Sequence, residues 1–116
     1  MKNFLAIFTG NAAAMDAFRK LPPAEMARKQ EEGVKSWHAW VEKNKASIVG
    51  MGGPLGKTKR ISKAGIEDVR NNMGAYTVVQ AESQEAAAKL FVGHPHFTIF
   101  PGDGVEVMEV LPIPAR

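Results

Sequence analysis

Residues Phe4–Phe8 read FLAIF, five apolar side chains in succession. In a strand they alternate, so Phe4, Ala6 and Phe8 face one way and Leu5 and Ile7 the other. A strand that is apolar on both faces must be covered on both. Whatever this chain folds into has to supply two covers for its first strand. The strand is expected over residues 2–9 and stops at the turn signal Gly10-Asn11.

The rest of the chain offers few candidates for those covers. Residues 12–20 suit a short helix with Met15 and Phe18 on one side. Pro22-Pro23 then opens a long helix over about 24–46, since proline is tolerated in a first turn and not further in. Met26, Val34, Trp37 and Val41 define its expected buried stripe, and Gly33 is a weak point that suggests a kink. Strands are expected at 47–51, 75–82 and 105–112. Between the last two, Ser83 is a good N-cap for a helix that runs to Gly93.

The order is β-α-β, a long connection, then β-α-β in a single domain spanning 1–116. That is the split βαβ, ferredoxin-like arrangement, an α+β fold with an antiparallel sheet. Its two helices cover one sheet face only. The second face of FLAIF is therefore expected to be covered by a second copy, giving a homodimer.

The stretch GMGGPLGKTK, residues 50–59, invites a phosphate-loop reading. Counting back from Gly56 puts Met51 where the first glycine belongs, and Pro54 removes a backbone donor. The following KRISKAG does not open a long helix that could hold phosphate. The glycines instead suit a turn bent by Gly53-Pro54.

Composition narrows the function classes. The 116 residues are 45% hydrophobic and contain no cysteine, which removes thiolate nucleophiles, disulfides and Cys-based metal sites. Net charge is +3, but the basic cluster Lys57, Lys59, Arg60, Lys63 is short and reads as a solvated loop, so no nucleic-acid partner is expected. The apolar run near Lys2 is shorter than a signal-peptide core, and no stretch approaches a membrane span. The expectation is a cytoplasmic protein with no membrane partner.

With these elements in place, the chain resembles the YCII-related family, and within it the branch named for a D-G-P-F-x-E-T-K-E motif. GGPLGKTKR (52–60) matches at Gly53, Pro54, Thr58 and Lys59. GAYTVVQAES (74–83) is similar to the family strand G-G-Y-Y-I-I-E-A-D-S, and GVEVMEVLPI (104–113) to its closing strand. The resemblance implies a dimeric α/β barrel with a pocket between sheet and helices. It also implies kinship with lyases, isomerases, dehalogenases and monooxygenases that often need no cofactor. None is expected here.

In the YCII type, a His on the first helix and an Asp after the second are regarded as a catalytic pair. The His position falls near His38, and the Asp position, before a proline, falls on His94. The motif's own acids are replaced by Gly52 and Lys57. The resemblance thus implies His38 as base and His94 as its partner, acting on a small metabolite. Trp37, the loop wall Gly53-Pro54-Leu55, and His96 are the candidate ligand-binding positions. The bland readings stand beside these: a half-exposed His38, histidines favoured as cations at a helix C-terminus, and Trp37, Trp40 and Phe97 as core or dimer contacts. A three-histidine metal site has no supporting motif, and none is assigned. The alternative function is a non-catalytic ligand-binding or accessory dimer.

Overall fold

The computed structural model describes residues 1–115. Its strands are β1 (Lys2–Gly10), β2 (Ile48–Pro54), β3 (Thr58–Ser62), β4 (Gly65–Val69), β5 (Met73–Ala81) and β6 (Gly102–Glu109). Its helices are α1 (Ala12–Arg19), α2 (Pro23–Asn44), α3 (Gln84–Lys89) and α4 (Pro95–Thr98). A four-stranded antiparallel sheet has the order β2-β5-β1-β6, which is the ferredoxin-like layout. The fold is α+β.

The alternation in β1 decides where the core lies. Phe4, Ala6 and Phe8 are fully buried under the helices, opposite Val79, Thr77 and Ala75 of β5. Phe91 and Ala87 complete that core from the α3 side, and Trp37 and Trp40 pack on it from α2. Burying one such phenylalanine is worth about 1.5–3 kcal/mol, so this face is the main source of stability. Leu5, Ile7 and Val78 lie on the opposite face with Met108. No helix of the chain covers them, and the molecule is only 18 Å thick along its shortest axis. Among the described residues, no helix is long and apolar enough to cross a membrane.

Three expectations are corrected. The long connection is not a loop: β3 and β4 pair Thr58 to Val69 through Ser62 to Gly65 as a separate hairpin. The basic cluster rides on it, with Lys59 bonded across the pair to Asp68 at 2.7 Å. Lys59 and Arg60 in TKRIS, and Glu67 and Asp68 in GIEDV, break the apolar alternation that would have marked the two strands. The glycine stretch is also more regular than a turn, because β2 runs to Pro54 with two register shifts against β5. Gly52 has φ +64°, and a Cβ there would overlap the Tyr76 carbonyl. The third correction concerns the last helix and strand: α3 stops at Lys89, the chain turns through Gly93 at φ +73°, and β6 begins at Gly102. The intervening loop contains the short helix α4.

The buried stripe of α2 is rotated from the one expected. Val34 is 51% exposed, whereas Gly33 is buried. The ring of Phe100 lies where a Gly33 side chain would stand. An incoming ring therefore fills the helix position that the sequence leaves empty, and the glycine is a packing seat. Trp40 carries the stripe on, donating its indole N–H to the Leu90 carbonyl at 2.7 Å. Gly33→Ala improves helix propensity by about 0.8–1 kcal/mol, but overpacking a tight contact costs about 1–3 kcal/mol. Net destabilisation is expected, and a raised denaturation midpoint in urea would show that Phe100 yields freely.

Candidate functional site

The space between the helix layer and the sheet is not filled at the β5 start. A cavity of about 430 Å3 opens there between α2 and the strand ends. Trp37, His38 and Val34 line it from α2, Gly53 and Pro54 from β2, and Phe8 from its floor. β2 has two register shifts against β5 here, and two of the four β2 residues that line the cavity are the glycines Gly52 and Gly53. Thr77 also lines it, but its hydroxyl is committed to the Met51 carbonyl at 3.0 Å. No carboxylate lines this cavity. His38 is exposed and makes no hydrogen bond among the described residues, leaving its imidazole available to a ligand.

A second cavity, of about 680 Å3, adjoins the first through the shared walls Trp37, Ala75 and Phe100. It lies between α1, the segment before β5 and the start of β6. His96 lines it, with Arg19 and Arg70. The Nε2 of His96 is 2.6 Å from the Thr9 carbonyl. A carbonyl only accepts, so Nε2 carries the proton. Gly102 permits this pose, since any Cβ there would overlap the imidazole ring.

His94 lines neither cavity. It is fully buried among aromatic rings, with Trp37 at 4.5 Å and 87°, and Trp40 at 4.7 Å and 66°. Its Nδ1 accepts the His96 amide at 3.0 Å and so caps the N-terminus of α4. That makes it the Nε2–H tautomer, and Nε2 has no N or O partner. Burial, aided by the neighbouring His96, pushes the imidazole down to about 4. The favourable helix C-terminus expected for a cationic His94 is therefore absent: it starts a helix and is neutral.

The structure thus distributes the sequence candidates. His38, Trp37, Gly53 and Pro54 share the smaller cavity, and His96 lines the larger. Leu55 is exposed and lines neither, and no hydrogen bond joins His38 to His94. Sequence reading missed Phe100, Arg19 and Arg70. Nothing in their local spacing marks them, because three separate elements bring them together.

A buried histidine held neutral makes stability depend on pH. Its folded pKa of about 4 lies below the ordinary 6.5, so its neutral form stabilises the fold fully above 6.5. That contribution declines as pH falls from 6.5 towards 4, by about 3 kcal/mol in all. In urea titrations at pH 7 and pH 4, His94→Asn is expected to lose less stability than wild type. Asn can still accept the cap bond. Equal losses would show that His94 is not the titrating group.

No family model matches the chain, and no curated protein matches it. Among solved structures, it is similar to the 5-chloro-2-hydroxyhydroquinone dehydrochlorinase of Burkholderia phenoliruptrix in complex with 2,5-dihydroxybenzoquinone. That similarity has a TM-score of 0.54 at 17% identity, covering 91% of this chain and 90% of the other. At that identity the likeness establishes a shared fold from end to end.

Proposed function

We propose that the chain is a cytoplasmic homodimer of the YCII-related kind, in its DGPF branch, and that it binds a small ring compound in the cavity beneath α2. There it performs cofactor-independent acid/base chemistry of the lyase, isomerase or dehalogenase type. The observation that carries this reading is the unpartnered imidazole of His38 on the wall of an otherwise largely apolar cavity. Neutral imidazole is suited to take a proton from an acidic O–H or C–H near pH 7. When the proton comes from a ring C–H, the electron pair left behind forms a C=C bond as an anion departs from the adjacent carbon, as in dehydrochlorination. The fold shared with a dehydrochlorinase supports the class of reaction. His94 serves this site indirectly, as a positioning residue that sets α4 and backs the Trp37 wall.

The absence of a carboxylate in the cavity favours the second reading, a ligand-binding or accessory module. The two part in one experiment. 2,5-Dihydroxybenzoquinone is titrated while the Gly52 and Gly53 amide resonances are followed, and chloride release from chlorinated hydroquinones is measured alongside. The enzyme reading expects turnover that His38→Ala lowers by about 10²–10⁴-fold. Binding without turnover selects the module, and turnover unaffected by His38→Ala removes His38 as the base.

The uncovered sheet face supports the homodimer. Leu5, Ile7, Val78 and Met108 lie on it, and a second sheet packs on such a face about 10 Å away. Light scattering at micromolar concentration is expected to return twice the chain mass. Ile7→Asp would then bury a charge at the interface and return a monomer. A monomeric wild type refutes the proposal.

A further inference from the structure

The larger cavity has a different chemistry from the smaller one. Four ionisable groups line it: Asp16, Arg19, Arg70 and His96. Asp16 stands 3.7 Å from Arg19 and offsets one positive charge, which leaves a surplus from Arg70. His96 is half-buried, and its proton is committed to Thr9 through Nε2. The lone pair is consequently on Nδ1, which has no partner among the described residues and is not fully buried. An imidazole with a fixed tautomer is a directed acceptor: it takes a hydrogen bond from an O–H and does not give one.

We propose that this cavity is a second subsite, which receives an anionic, hydroxyl-bearing part of the ligand. Arg70 and Arg19 supply the positive field and His96 Nδ1 accepts the hydroxyl. The inference rests on the small-ring reading given above and extends it, since Trp37, Ala75 and Phe100 are walls of both cavities. One ligand spanning the two would lay its ring along these shared walls, with its hydroxyl towards His96 and its anionic group towards Arg19 and Arg70. Hydroxylated aromatic carboxylates are the class that fits.

The test uses three probes on the full chain: 4-hydroxybenzoate, benzoate and phenol, titrated with amide resonances as reporters. Gly52 and Gly53 report the cavity beneath α2, and Asn72 and Gly102 report the second. His96→Gln keeps an N–H for Thr9 but moves the acceptor, since its amide oxygen does not stand where the imidazole Nδ1 does. It is expected to weaken 4-hydroxybenzoate and phenol about three- to ten-fold at the second cavity and leave benzoate unchanged. Arg19→Gln combined with Arg70→Gln is expected to weaken both carboxylates and leave phenol unchanged.

Equal weakening of all three probes by His96→Gln, or no weakening, overturns the proposal. Probes that move Gly52 and Gly53 alone also overturn it and leave the smaller site standing. Silence at both sets of amides overturns both readings. A readout independent of any variant is the long-range 15N spectrum of the wild-type imidazole. The Nδ1 resonance should shift with 4-hydroxybenzoate and not with benzoate, and an Nδ1 resonance unmoved by 4-hydroxybenzoate defeats the assignment of His96.

Discussion

The ring of Phe8 is the contact on which the rest of the structure depends. It stands 5.1 Å from Trp37, 5.9 Å from Phe91, 5.1 Å from His94 and 5.2 Å from His96. One side chain of β1 thereby joins α2, the end of α3, α4 and both cavities. Offset and edge-on aromatic pairs of this kind add about 0.5–1.5 kcal/mol each beyond the area they bury. Their geometry is directional, so the cluster fixes positions as well as stability.

His94 shows how the same cluster changes a residue's chemistry. A histidine in water is half protonated near pH 6.5, but one enclosed by Trp37, Trp40, Phe8 and Phe91 has no solvent to stabilise its charge. Its polar requirement is met on one side by the His96 amide. That bond also sets the direction of α4, which carries His96 to the Thr9 carbonyl. The two histidines beside Pro95 consequently diverge, one into the core and one to a cavity wall.

Much of the fold was legible along the chain. The alternation in FLAIF, the proline at the start of α2, and Ser83 as a cap each act within a few residues. Ser83 does accept the Ala86 amide, at 3.1 Å. The hairpin β3–β4 was hidden because Ile61 and Ile66, 72% and 70% exposed, mark no buried face, and lysines obscured the alternation. Gly33 was misread because its partner Phe100 lies on another element. Of the candidate residues put forward from the sequence, Trp37, His38, Gly53 and Pro54 share a cavity, and that much was legible from residue type.

The sequence by itself determined the two β-α-β halves, the apolar character of both faces of β1, and the absence of thiol chemistry. Each of these follows from side-chain type and local spacing. Only the tertiary structure decided which histidine meets a cavity and which is sealed. It also decided that glycines at 33 and 102 are seats for the rings of Phe100 and His96. Those outcomes depend on contacts between residues far apart in the chain, and a contact of that kind leaves no period in the sequence.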